Sequence, residues 1–104
     1  MTKEQALQEQ MDEIMDSFEF DKVASVMQHL DWKWKYSNGV PDEYEIRKSA
    51  RQTMKSATEC NGTSSTGGFT AIVDDNPEEG WVRLDLHFGF SAINDGVEYE
   101  KNLK

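Results

Sequence analysis

Histidine, cysteine and carboxylate side chains are the groups from which this sequence could assemble acid–base, nucleophilic or metal chemistry. His29, His87 and Cys60 are the only residues of the first two types, and they lie far apart along the chain. No spacing among them matches a metal-binding or catalytic arrangement. We interpret both histidines as ordinary surface or half-buried residues and predict that Cys60 is a small buried hydrophobe. The sequence predicts neither an enzyme nor a bound metal or cofactor.

Cationic side chains recur in the middle of the chain at a spacing that fits one side of a helix. Arg47, Arg51 and Lys55 are four residues apart, which places them on one helical face. They form either a solvated helix face, partly neutralised by Glu43 and Glu59, or a binding surface. As a binding surface for an anionic small molecule or nucleotide, the candidate site comprises Lys33, Lys35, Arg47, Arg51, Lys55, Gly67 and Gly68.

Acidic and aromatic side chains define a different candidate surface, one that would contact a protein. Trp32, Trp34 and Tyr36 alternate along an extended segment. Carboxylates recur along the predicted first helix and also on the predicted hairpin, at Asp74, Asp75, Glu78 and Glu79. The carboxylates either serve solubility alone or imitate the phosphates of nucleic acid toward an enzyme that binds it. The aromatic side chains either fill the core or anchor a partner. The candidate partner-binding residues are Glu9, Asp12, Glu13, Asp16, Trp32 and Trp34.

The charge balance of the 104 residues, formally -9, disfavours nucleic acid and anionic membranes as partners. Residues 1–31 carry eight acidic and two basic side chains, whereas residues 32–62 carry four acidic and six basic ones. The single cysteine fits a reducing compartment, and the polar start of the chain lacks the pattern of a signal peptide. We therefore expect a protein of the cytoplasm, with no membrane segment.

Three helices are predicted in the first sixty residues. Thr2 and Gln5 form a capping box before an amphipathic acidic helix over 1–19. A second helix begins near Asp21, and a third begins at Asp42 and ends at 61–62. We expect one domain over 1–104, with the acidic helix either packed into it or at its periphery.

Strand patterns dominate the second half of the chain. Residues 61–68 are small and polar and are predicted to form a flexible loop that leads into the sheet. Alternation of apolar and polar residues predicts strands at 32–36, 69–73, 82–90 and 97–99, with hairpin connections at 74–80 and 94–96. The predicted fold class is α+β, with three helices packed on one face of a small antiparallel sheet of three to four strands. The other face carries Arg83, Asp85 and His87 and could face water.

Several short motifs, taken in order, resemble a known family. They are Asp31-Trp32-Lys33-Trp34, Gly39-Val40-Pro41, a helix with Ala50 and Arg51, and Ser65-Thr66-Gly67-Gly68-Phe69. Their order and spacing over roughly residues 20–90 resemble a family of short hypothetical proteins of bacteriophage genomes, for which no common activity is known. The resemblance implies a phage origin, and small phage accessory proteins often bind and disable a host or defence protein. The oligomeric state stays open, because an exposed last strand or the methionine-rich helix could pair with a second copy to form a homodimer.

Overall fold

The computed structural model describes residues 2–29, 42–89, 91–94 and 98–99. The helices are α1 (Lys3–Asp16), α2 (Phe20–His29) and α3 (Glu43–Cys60). The strands are β1 (Thr63–Thr66), β2 (Phe69–Asn76), β3 (Trp81–Phe88), β4 (Ser91–Ala92) and β5 (Glu98–Tyr99). Within these described ranges, none of the helices has the length and apolar character needed to cross a membrane.

Side-chain caps define the ends of α1 and α3 where the sequence predicts them. The amide of Gln5 donates to the Thr2 hydroxyl oxygen at 3.2 Å, and the Thr2 amide donates to Gln5 Oε1 at 2.9 Å. Asp42 accepts the amide of Glu45 at 2.9 Å and begins α3, which ends at Asn61 in the left-handed conformation. These caps satisfy terminal backbone groups that have no partner inside the helix, so local sequence sets the helix limits.

The strands form one antiparallel sheet in the order β1-β2-β3-β4, and the short β5 also pairs with β3. The three helices pack against one face of this sheet, which confirms the predicted α+β architecture. On β3 the side chains alternate between buried and half-buried, and the buried set faces the helices. The predicted polar face is also confirmed, because Arg83, Asp85 and His87 lie on the side of β3 away from the helices and remain partly accessible.

The core lies between this sheet and the helices. Apolar side chains of α3 pack over β1 and β2, and α1 packs over β3 and against α3. The acidic first helix is therefore part of the core, since six of its fourteen residues are buried. The largest fully buried apolar side chains are Phe69, Phe88, Ile14, Ile46, Met54, Leu84 and Leu86.

Residues 61–68 form a strand and a tight turn, so the prediction of a flexible loop there is wrong. Thr63 to Thr66 pair with β2, and the two-residue turn consists of Gly67 and Gly68 with φ of 56° and 86°. A two-residue hairpin turn of this kind needs positive φ at both central positions, which glycine adopts without a steric penalty. The glycines therefore have a structural function in closing the β1–β2 hairpin.

A glutamine side chain of α1 binds the outer edge of β3. Gln10 Nε2 donates to the carbonyl oxygen of Val82 at 3.0 Å, and Gln10 Oε1 accepts the amide of Leu84 at 2.7 Å. The side chain is fully buried. Its carboxamide offers the same donor and acceptor as a peptide group, so it replaces a short piece of neighbouring strand.

An asparagine side chain continues the same edge in the interval between β4 and β5. Asn94 Nδ2 donates to the carbonyl oxygen of Leu84 at 2.6 Å, and Asn94 Oδ1 accepts the amide of Leu86 at 2.5 Å. The Leu86 carbonyl oxygen then accepts the amide of Ile93 at 2.7 Å. Residue 94 is the first of the predicted hairpin at 94–96, and the other two positions lie outside the described residues.

Candidate functional site

Four carboxylates of α1 form a continuous exposed surface, which we call the acidic face. Its members are Glu9, Asp12, Glu13 and Asp16, and all four side chains are exposed. At 100° per residue they lie on the side of α1 opposite Leu7 and Met11, whose side chains are buried toward α3. The packing of α1 into the core therefore turns the acidic face outward.

The charges of the acidic face have no neutralising neighbour in the part of the chain that the structure describes. Among the residues that the structure describes, none of the four carboxylates has a cationic group within ion-pair distance. The one hydrogen bond made by these side chains joins Gln8 Nε2 to Asp12 Oδ1 at 3.0 Å and involves no cation. The four negative charges therefore act on the solvent as a group.

The mean axial spacing of these charges is close to the axial rise per phosphate of a nucleic-acid strand. Asp16 lies seven positions after Glu9, which at about 1.5 Å per residue is about 10.5 Å along the helix axis. The individual axial steps are about 4.5, 1.5 and 4.5 Å, so their mean is about 3.5 Å, compared with about 3.4 Å of helix axis per phosphate along one strand of DNA. The acidic face can thus present a phosphate-like row of negative charge.

The acidic residues of the β2–β3 hairpin are partly neutralised. Asp75 forms an ion pair with Lys3 at 2.8 Å, and Lys3 also donates to the Asn61 side chain. Asp74 lies 3.6 Å from Arg83, which also pairs with Asp85 at 3.0 Å. These ion pairs leave α1 as the more strongly charged of the two acidic surfaces that the sequence predicts.

Arg47 holds the end of α1 and is not part of an open basic surface. Its guanidinium donates to the carbonyl oxygens of Met15 at 3.2 Å and Phe18 at 3.4 Å, and lies 5.1 Å from the centroid of the Phe18 ring. It also forms an ion pair with Glu43 at 2.9 Å, so Glu43 partly neutralises the basic stripe as the sequence predicts. A cation on the last carbonyls of a helix is stabilising, so the first role of Arg47 is to fix α1 against α3.

Arg51 and Lys55 are exposed and line a groove between α1 and α3 of about 730 Å³. Among the described residues neither side chain forms an ion pair. The groove combines apolar, cationic and anionic groups. Its lining residues include Leu7, Met11, Arg51, Lys55, Glu4 and Glu59.

The structure does not bring the glycine turn to these cations. Thr53 Oγ1 lies 3.3 Å from the carbonyl oxygen of Thr66, next to the turn, so Thr53 faces β1. Arg51 and Lys55 are each two residues from Thr53, or about 200° around the helix. Gly67 and Gly68 therefore belong to a different side of α3 from the groove. Four further predicted site residues lie outside the described residues, and their roles stay predictions: Trp32, Lys33, Trp34 and Lys35.

The remaining candidate reactive groups are dispersed. Within the described ranges no three histidine, cysteine or carboxylate side chains are placed to hold a metal ion. His87 lies on the polar sheet face opposite Thr70 and Ala92. Cys60 is exposed, contrary to the prediction that it is buried, because the last turn of α3 places it beside Ala57 and Thr63 at the edge of the sheet rather than beneath it.

Sequence reasoning missed the two buried carboxamides, although one of them leaves a signal. Gln10 lies three residues after Leu7 and four before Ile14, so it is a polar residue inside the apolar stripe of α1. A buried polar side chain must find hydrogen-bond partners, which marks such a position as structurally specific. Asn94 has no comparable signal, because its position in a turn motif accounts for it fully.

Comparison with models of protein families, with curated proteins and with solved structures finds no match for this chain.

Proposed function

We propose that this protein acts by direct contact with a host or defence protein that binds nucleic acid, and that it inhibits or redirects this partner through the acidic face of α1. The observation that carries the proposal is a row of four exposed carboxylates that have no cationic partner among the residues the structure describes. Complementary charge speeds association and selects the partner. No covalent change of the partner is involved.

Two features of α1 support this proposal. Its capping box, its buried apolar stripe and the bonds of Gln10 to β3 hold the helix rigidly on the sheet. A helix backbone that is already fixed need not be ordered on binding, which lowers the entropy cost and favours affinity. The charge spacing of about 3.5 Å suits a cationic groove that accepts a phosphate backbone.

The nature of the partner follows from the resemblance to short bacteriophage proteins. A phage accessory protein would act in the cytoplasm of the infected cell, where the available targets are host enzymes and defence proteins. Nucleic-acid-binding proteins among them offer the cationic surfaces that the acidic face would complement. This origin is part of the proposal and is tested with it.

Charge reversal on the acidic face is expected to weaken capture of the partner by about tenfold or more. The variant Glu9→Lys with Glu13→Lys replaces two of the four carboxylates by cations, so attraction to a cationic surface becomes repulsion. The measurement is affinity capture from a lysate of the natural host, followed by titration of the purified captured protein. Duplex DNA added as a competitor should displace the captured protein, and added salt should weaken the complex.

A matched control separates the acidic face from net charge. Glu45→Lys with Glu59→Lys changes two acidic residues of α3 and gives the same formal net charge, -5 in place of -9, because each substitution adds two positive charges. This control should bind as the unmodified chain does. Equal loss in both variants, or undiminished binding of the acidic-face variant, would contradict the proposal.

A second candidate function rests on the groove between α1 and α3, where Arg51 and Lys55 adjoin the apolar side chains of Leu7 and Met11. Such a groove could take an anionic small molecule or a nucleotide. ATP or inorganic phosphate at about ten times its dissociation constant is expected to raise the unfolding temperature by roughly 5–10 °C. Arg51→Glu with Lys55→Glu should remove this shift, whereas Lys22→Glu on α2 should retain it. An absence of any shift across a broad panel of anions would exclude this candidate.

A further inference from the structure

The two edges of the sheet differ in how their backbone groups are used. The outer edge of β3 is covered by β4, Asn94, Gln10 and β5. Next to β1, the Val73 amide donates to the Gly62 carbonyl at 2.9 Å, and this bond fixes which residues of β1 are hydrogen-bonded to β2. The backbone N–H and C=O groups of Ser64 and Thr66 point toward β2. The amides and carbonyls of Thr63 and Ser65 therefore point away from the sheet. Among the described residues, no backbone group pairs with them.

This edge lacks three of the features that usually prevent strand pairing, although β1 itself is short, at four residues. Exposed edges are usually protected by charged side chains, proline or a bulge. Residues 60–73 contain neither a charged residue nor a proline, in a chain of which 30% of the residues are charged. The pairing of β1 with β2 proceeds without a bulge from Thr63 to Thr66. Within the described residues, the β1 edge therefore has no backbone partner and no charge, and the Thr63 carbonyl oxygen accepts only the Cys60 thiol, at 3.8 Å.

We propose that β1 pairs in antiparallel fashion with β1 of a second copy of this chain, about a two-fold axis at Ser64. In this register Thr63 lies opposite Ser65 of the second copy. The backbone N–H and C=O groups of Thr63 exchange hydrogen bonds with those of the opposite Ser65, and the two-fold axis repeats this pair on its other side. The sheets of the two copies join into one. This inference concerns a surface separate from the acidic face and does not depend on the proposed function.

The helix above β1 permits this pairing. Thr53 and Cys60 of α3 contact the carbonyl oxygens of Thr66 and Thr63, at 3.3 Å and 3.8 Å. Ser56 lies between them on the same flank. Because α3 lies over both β1 and β2, its axis runs above the space between these strands. The two-fold axis lies midway between the two copies of β1, about one strand spacing from that position. The two α3 helices are therefore about 10 Å apart. This is about the distance at which helices pack, and the facing residues are small and uncharged.

The charge distribution favours a second copy as the occupant of this edge. The chain carries a formal charge of -9, so two copies repel each other over most of their surfaces. The acidic face lies on α1, which packs over β3, on the same face of the sheet but away from the β1 edge. The cations Arg51 and Lys55 lie on the opposite side of α3 from Thr53. Pairing through β1 therefore brings together the segment with the least charge, and the register at Ser64 is complementary to itself.

Sedimentation equilibrium of the full chain tests the pairing, and a concentration-dependent dimer is expected. Ser65→Pro removes an outward amide without touching the bonds of β1 to β2, since proline is compatible with an edge strand whose N–H is free. The dimer has two such amides, so this variant should dissociate roughly tenfold more readily. Ser65→Ala, which also lacks the hydroxyl that bonds Thr70 but keeps the amide, should dimerise like the original chain.

Cross-linking provides a second readout that does not depend on proline. Ser64→Cys, combined with Cys60→Ser, places two thiols at a non-hydrogen-bonded pair across the axis, where the Cα atoms are about 4.5 Å apart and a disulfide can form. Mild oxidation should yield the covalent dimer, whereas Ser25→Cys with Cys60→Ser, exposed on α2, should not. Monomers at about 1 mM without the cross-link would overturn the proposal. So would a folded Ser65→Pro variant that dimerises as tightly as Ser65→Ala.

Discussion

Replacing Gln10 by methionine is expected to lower the free energy of unfolding by roughly 2–6 kcal/mol. The methionine has nearly the same length and fills the space, but it can neither donate to the Val82 carbonyl nor accept the Leu84 amide. Two backbone groups are then buried without partners, at about 1–3 kcal/mol each. Because domains of this size are stable by only about 5–15 kcal/mol, the loss is a large fraction of the total.

Thermal or urea unfolding measures the Gln10 effect, and amide hydrogen exchange locates it. The Leu84 amide should exchange faster in the variant because its acceptor is gone. The matched control is Gln8→Met, the same substitution on the exposed side of α1, which should change stability by less than about 0.5 kcal/mol. Unchanged stability together with a protected Leu84 amide would show that Gln10 does not hold this edge.

Replacing Gln10 by glutamate should make the defect depend on pH. The ionised carboxylate can accept the Leu84 amide but cannot donate to Val82, and it is a charge in a fully buried position. Relative to the original chain, this variant should be least stable near neutral pH. The difference should shrink in acid, where the protonated carboxyl regains a donor.

Replacing Asn94 by leucine is expected to destabilise the protein by a similar amount, roughly 2–6 kcal/mol. The substitution leaves the Leu84 carbonyl and the Leu86 amide without partners in a buried position, since Asn94 is 7% exposed. Here the Leu86 amide is the one that should lose protection from hydrogen exchange. This specificity distinguishes the effect of Asn94 from that of Gln10, which protects Leu84.

Ser91→Ala serves as the control for Asn94, because Ser91 is exposed in β4 and pairs with β3 through its backbone. It should leave the unfolding temperature within about 2 °C of the original value. An Asn94→Leu variant with full stability would contradict the role of the side chain as a replacement for a strand. Loss of exchange protection throughout the sheet, without selectivity for Leu86, would contradict it as well.

Local patterns were sufficient to predict most of the secondary structure. Thr2 and Asp42 form caps within three residues of themselves, and the apolar stripe of α3 follows the helical period. The β2–β3 hairpin was predicted because alternating residues flank a connection with turn-forming residues. Each of these features depends on interactions between residues that are close in sequence, which is why one sequence suffices to find them.

The prediction of the candidate site was less complete for a related reason. The acidic face was found from spacing alone, because carboxylates at helical intervals on a polar side must be exposed. The basic stripe was only partly right, since Arg47 bonds to carbonyls 29 and 32 residues away. A cation that binds backbone and one that faces solvent look the same in a sequence. Only the position of α1 separates Arg47 from Arg51.

The amino-acid order sets the α+β class, the limits of the helices and the acidic character of α1, because these depend on capping, periodicity and charge within a few residues. Tertiary packing decides which polar side chains are structural. Gln10 reaches partners 72 and 74 residues away, and Asn94 fills an interval that exists only because β4 and β5 both pair with β3. Within the described ranges, the same packing leaves the outer edge of β1 without a backbone partner, since a strand's position at the margin of a sheet depends on how distant segments meet.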